Sequence, residues 1–65
     1  KIDKIAFWRL RETQALTQLV TLCSKIAANV LIEGIETERD RTCALHAGAR
    51  FGQGYYWPSW RWQED

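Results

Sequence analysis

Val30-Leu31-Ile32-Glu33-Gly34-Ile35-Glu36-Thr37 is the stretch from which the rest of the chain can be read. Three branched apolar residues in succession predict a strand buried on both faces, as strands of a parallel sheet are. A carboxylate, a glycine and a second carboxylate follow at once, then a threonine suited to starting a helix. Turns of this kind, at the end of a buried strand, are where binding and catalytic side chains collect. A Glu at that point needs a cation or a hydrogen-bond donor, because burying an unpaired carboxylate is costly.

Upstream of this stretch the period is helical over residues 12–27. Leu16, Leu19, Val20, Cys23, Ile26 and Ala27 recur at spacings of three and four and share one face. Gln14, Thr17, Gln18, Thr21 and Lys25 take the other side, and Thr13 is placed to cap the start. A helix of about 15 residues is about 22 Å long, enough to cross back over a sheet. Downstream, Gly34 turns the backbone and Thr37 caps a second helix, residues 38–47, with Asp40 three residues on as in a capping box. Glu38 and Asp40 suit the positive end of its dipole. Cys43, Ala44 and Ala47 face inward, and Gly48 stops the helix.

Residues 49–56 read as another short strand, ending in Gly52-Gln53-Gly54-Tyr55, before Pro58 breaks it. Trp57, Trp60 and Trp62 crowd the tail, where they are expected to pack or to meet a partner, and Gln63-Glu64-Asp65 closes it. At the other end Lys1-Ile2-Asp3 fits the last residues of a strand, and residues 4–11 an ordered connection with room for one helical turn. The order β-α-β-α-β with short loops predicts right-handed crossovers and strands that all point one way. Lys1, Asp3, Glu33 and Gln53 then meet at the C-terminal strand ends, where α/β barrels and open α/β sheets carry their sites. Asp3 is expected there as a hydrogen-bond acceptor rather than a metal ligand.

Composition narrows the function classes. The chain has 65 residues, 46% hydrophobic and 26% charged, with a net charge of +1. No basic patch points to a nucleic-acid polymer. No apolar run approaches the roughly 20 residues that span a membrane, and no signal peptide opens the chain. With only His46 and no CxxC pair beside Cys23 and Cys43, a structural zinc site is not expected. His46 is expected on the exposed side of its helix. Reduced core thiols are the expected state of Cys23 and Cys43, with a disulfide between them as the alternative; reduced thiols fit a cytoplasmic protein. Lys1 opens the chain without a Met or a capping signal, so a segment of a longer protein is expected. A chain this short buries only about 60% of its unfolded surface.

Three motifs stand in register: Lys1-Ile2-Asp3; Glu33-Gly34-Ile35-Glu36-Thr37 about thirty residues later; and Gly48 followed by Gln53-Gly54-Tyr55. Together they resemble the last quarter of an EAL domain, across nearly the whole chain up to Tyr56. The family pattern there is a K-I-D strand end, a helix, E-G-V-E-T, a short helix ending in L-G, and a final strand with Q-G-Y. EAL domains are bacterial phosphodiesterases that use Mg²⁺ or Mn²⁺ to hydrolyse cyclic di-GMP to linear pGpG. The resemblance implies that residues 1–65 are the C-terminal segment of one such domain, the last part of a modified (β/α)8 TIM-like barrel. The E-x-L and D-D-F-G-x-G motifs would lie upstream.

Carried over by position, the resemblance implies Lys1 as the lysine near the catalytic metals and Glu33 as a metal ligand and candidate general base. It implies Glu36 and Gln53 as residues of the nucleotide and phosphate site. Cyclic di-GMP, the rest of the domain, a sensory or GGDEF-type domain and a second copy are the partners it implies. The sequence departs from the pattern at Ile32, where the family has a small residue, at Ala27, where it has a glycine, and at Tyr56-Trp57-Pro58, where it has a longer run to R-P. The metal-side residues match and the tail does not. Two functions follow as expectations: an active phosphodiesterase domain, or a degenerate one that serves as a cyclic di-GMP sensor or docking module. The 65 residues alone are not expected to be catalytic, since three strands do not close an eight-stranded barrel.

Overall fold

The computed structural model describes residues 1–57 and the backbone of residues 61–63. Pro58, Trp60, Glu64 and Asp65, together with the side chain of Trp62, lie outside the described residues. The elements run α1 (Lys4–Leu10), α2 (Gln14–Ser24), β1 (Leu31–Glu33), α3 (Glu38–His46), β2 (Phe51–Gln53) and β3 (Arg61–Gln63). The protein is an α/β fold whose sheet has the order β1-β2-β3. β1 and β2 are parallel, with Glu33 opposite Gln53, and Ile2 adds a parallel bridge to Ile32. The N-terminal tripeptide is thus a strand end beside β1, as its composition predicts.

Several elements differ from the sequence reading, each for a physical reason. Lys4–Leu10 form helix α1 rather than a connection, because Asp3 caps it by accepting the Ala6 N–H at 3.0 Å. The bases along this segment mask a short apolar face whose centre, Phe7, is fully buried. Helix α2 is shorter than 12–27. Thr13 sits at its N-cap position, but its hydroxyl donates to the Leu10 carbonyl instead of capping. At the other end Ser24 Oγ donates to the Val20 carbonyl at 2.8 Å and Lys25 caps the last turn, so Ile26 and Ala27 leave the apolar face; Ile26 is 83% exposed. The two inner strands contract to three residues each.

The three strands expected from the sequence run parallel, and the sheet carries one strand more. β3 joins the outer edge of β2 antiparallel, pairing Gly52 with Trp62, with only seven residues of sequence between Gln53 and Arg61. A short reversal of this kind cannot give a parallel neighbour, which needs a crossover.

Nor is β1 buried on both faces. Side chains alternate across a strand. Ile2, Val30 and Ile32 fall on the face that packs with Phe7, Leu16, Val20, Ala44 and Ala47 in one core. Leu31 and its register neighbour Phe51 fall on the opposite face and are only half-buried. All the buried apolar helix residues belong to that first core, so the second face of the sheet is left without a full cover.

Helix α3 follows the sequence closely. Thr37 Oγ1 accepts the Asp40 N–H at 3.0 Å, and Asp40 Oδ2 accepts the Glu36 N–H at 3.1 Å, a capping box shifted by one residue. At its C-terminus the Ala49 N–H reaches the Ala44 carbonyl and the Gly48 N–H the Leu45 carbonyl, the paired bonds of a Schellman motif. Gly48 has φ +100° there, the left-handed conformation glycine adopts without penalty. Cys23 and Cys43 are both free thiols.

Candidate functional site

The two loops that leave the parallel strands are bonded to each other. Gly34 N–H and Ile35 N–H both donate to the Gln53 carbonyl at 3.0 Å, and Tyr56 N–H donates to the Ile35 carbonyl at 3.1 Å. Gly54 is required by this contact: a Cβ on it would lie 1.9 Å from the Ile35 oxygen. Gly34 is required by another. It has φ +92°, and a Cβ there would stand 2.5 Å from Lys4 Cβ and 2.9 Å from Trp8 Nε1. Its carbonyl accepts the Trp8 indole N–H at 2.9 Å, which ties the loop to α1.

These loops form a cleft of about 180 Å³ lined by Lys4, Glu33, Gly34, Glu36, Gln53, Gly54 and Tyr55. Three of the residues singled out from sequence, Glu33, Glu36 and Gln53, therefore line one cleft. The fourth, Lys1, meets Glu33 directly: its Nζ lies 2.8 Å from Glu33 Oε2, with Glu33 mostly covered and Lys1 mostly exposed. This is the cation that a strand-end carboxylate demands. The hydrogen bond to Glu33, and then its charge, raise the Lys1 ammonium above its ordinary pKa of 10.5. Asp3 is the acceptor it was expected to be, committed to the α1 cap.

Sequence reasoning missed Lys4, Trp8, Arg11 and the full role of Asp40. Arg11 Nη1 lies 2.8 Å from Asp40 Oδ1, and that carboxylate, 5% exposed, also holds the Glu36 backbone. The bond fixes where Glu36 leaves the cleft floor. Only the pairing of Asp40 with Thr37 carried a local signal; the others depend on α1 folding back against the β1 turn.

Chemically, the site offers a carboxylate oriented by an ammonium, an amide beside it in register, a second carboxylate and a second lysine. A carboxylate so placed can orient or deprotonate water. Among the described residues no three His, Cys, Asp or Glu side chains gather into a set suited to a metal ion. A hard divalent cation takes six or more oxygen ligands. Glu33 and Gln53 alone do not make such a site, so the Mg²⁺ or Mn²⁺ that the resemblance implies does not fit these residues by themselves. Among the described residues no helix is long and apolar enough to cross a membrane. No protein-family model, curated protein or solved structure matches the chain.

Proposed function

We propose that this chain supplies part of the catalytic end of an EAL-type barrel that hydrolyses cyclic di-GMP to pGpG. One observation carries the reading. Glu33 and Gln53 are register partners at the C-terminal ends of two parallel strands, Lys1 of the neighbouring parallel segment reaches Glu33 with its ammonium, and all three fall on the sheet face left without a full cover. In a (β/α)8 barrel that face is the interior, filled by the other strands, and the C-terminal rim holds the reacting groups. The half-buried Leu31 and Phe51 below the polar tier fit an interior layer awaiting its opposite wall.

On this reading Glu33 is a catalytic carboxylate and metal donor and Lys1 its fixed cation, while Gln53 and Glu36 contact the nucleotide. The remaining metal donors come from residues outside these 65. The reading also carries a cytoplasmic location, a sensory or GGDEF-type partner domain and self-association.

The test is turnover of cyclic di-GMP in Mg²⁺ by a barrel-length polypeptide containing this segment, beside its Glu33→Gln variant. Linear product from the first and none from the second supports the phosphodiesterase. Equal turnover by both removes Glu33 from the chemistry and with it the reading.

The second reading, a sensor or docking module without turnover, is favoured by β3. It pairs antiparallel on the edge of β2 from which a closed barrel continues to its next strand. Cyclic di-GMP bound by the barrel-length polypeptide without any pGpG formed identifies that case.

A further inference from the structure

The cleft holds two charged side chains that the ion pairs leave uncommitted. Among the described residues four ion pairs form: Lys1–Glu33, Arg11–Asp40, Arg39–Glu12 and Arg41–Glu38. Lys4 and Glu36 line the cleft and belong to none of them. Lys1, the other cation at this end of the sheet, is already taken by Glu33.

Lys4 is nonetheless held in place. Its Cα and Cβ press on Gly34, and its ammonium stands 5.7 Å from the centroid of the Trp8 ring. Trp8 is fixed in turn by its bond to the Gly34 carbonyl. A cation over a ring face loses little of its charge to the ring and keeps N–H donors pointing away from it. An ammonium with free donors on a short cleft wall binds a phosphate as a compact point charge.

We propose that Lys4 is the anion-binding group of this cleft and receives a phosphate of the ligand. The Trp8 ring holds Lys4 on the cleft wall, and the Gly34 turn holds Trp8. The uncommitted Glu36 carboxylate across the same cleft suits a ligand that also carries N–H donors, which a phosphate ester of a nucleobase does. The proposal rests on the cyclic di-GMP reading only for the identity of that ligand.

The test titrates the 65-residue chain with cyclic di-GMP in Mg²⁺ and, separately, with inorganic phosphate. Binding is followed by calorimetry and by the Trp8 indole N–H resonance, assigned with Trp8→Phe. Lys4→Met keeps an unbranched stem against Gly34 and removes the charge; Lys4→Arg keeps the charge. Spectra of both variants with native dispersion establish that the fold is intact.

The expected result is that both probes shift the Trp8 signal. Lys4→Met then raises both dissociation constants about tenfold, and Lys4→Arg recovers most of the loss. Added salt weakens the wild type more than Lys4→Met. Phosphate binding that depends on Lys4, without cyclic di-GMP binding, supports the proposal and leaves the cyclic di-GMP reading to the barrel-length turnover test. Cyclic di-GMP bound equally by wild type and Lys4→Met overturns the proposal and leaves that reading standing. An unmoved Trp8 signal with no heat from either probe overturns the proposal, and the cyclic di-GMP reading is then judged by the barrel-length turnover test alone.

Discussion

Substituting Ala at Gly54 and at Gly48 separates two things glycine does. Both residues have positive φ, +157° at Gly54 and +100° at Gly48. A Cβ at Gly48 meets only Val20 Cγ1, at an ordinary 3.7 Å, so Gly48→Ala carries the conformational penalty alone. That penalty is about 1 kcal/mol. A Cβ at Gly54 falls 1.9 Å from the Ile35 oxygen, 2.5 Å from its nitrogen and 2.6 Å from its carbonyl carbon. All three are backbone atoms, so no side chain can rotate out of the way. The loops must separate by about 1 Å, which carries their 3.0–3.1 Å hydrogen bonds past bonding distance. Three such bonds are worth about 3 kcal/mol together.

Gly54→Ala therefore loses about 4 kcal/mol and Gly48→Ala about 1. A 65-residue domain has only about 3–10 kcal/mol in total. Urea unfolding followed by tryptophan fluorescence reads the difference. With a slope of about 1 kcal/mol per molar, Gly48→Ala lowers the midpoint by about 1 M and Gly54→Ala by about 4 M, or unfolds the chain. Hydrogen exchange locates the damage: the Ile35 and Tyr56 amides lose protection in Gly54→Ala and keep it in Gly48→Ala. Equal midpoints, or protected Ile35 and Tyr56 amides in Gly54→Ala, would refute the claim that the two loops are pinned through Gly54.

Other perturbations test the remaining contacts. Asp40→Ala strands the Arg11 guanidinium and the Glu36 N–H; with Arg11 41% exposed, solvent takes over part of the lost partner, and the loss in urea stability is expected at about 2 kcal/mol. Trp8→Phe removes the donor to the Gly34 carbonyl and should lower stability by about 1 kcal/mol, with faster exchange at Gly34. The Lys1 ammonium and the Tyr56 hydroxyl are both raised above their ordinary pKa values, 10.5 and 10.0, by hydrogen bonds to Glu33 and Glu38 respectively. A raised folded-state value contributes stability below the unfolded value that is lost as pH climbs through the folded one. Stability should thus hold to about pH 10 and fall beyond it, and Glu33→Gln with Tyr56→Phe should flatten that fall in a pH series of urea midpoints.

The parts legible in the sequence are those set by chemistry within a few residues. Thr37 and Asp40 announce the start of α3, and Gly48 its end, because caps and left-handed stops are local requirements. The register of Glu33 with Gln53 follows from two parallel strands of matched ending. Glu33 also advertised its need for a cation, and Lys1 meets it. Helix α1 was hidden because its cap, Asp3, reads equally well as a strand end, and because bases interrupt its apolar face. Lys4 escaped notice for a different reason. Its place in the cleft is created by a glycine thirty residues away that has no side chain to signal the contact. The Arg11–Asp40 pair is invisible because it joins the end of α1 to α3, a contact within neither.

The two glycine turns also explain how so small a chain can hold a defined cleft. Gly34 is pinned from one side by Lys4 and Trp8 and from the other by the Gln53 carbonyl. Gly54 is seated on the Ile35 backbone. Between them Ile35 is fully buried, so the floor of the cleft is anchored in the core cluster. The rim is different: Glu36 and Lys4 are exposed, and Tyr55 is 90% exposed. A fixed floor with an adjustable polar rim lets a ligand order a few side chains without paying to order the backbone. Any substitution at Gly34 moves α1, Trp8 and Lys4 together, whereas one at Tyr55 moves only itself. Loss of ligand at the first with retained fold at the second is therefore what the geometry requires of this cleft, whichever anion it holds.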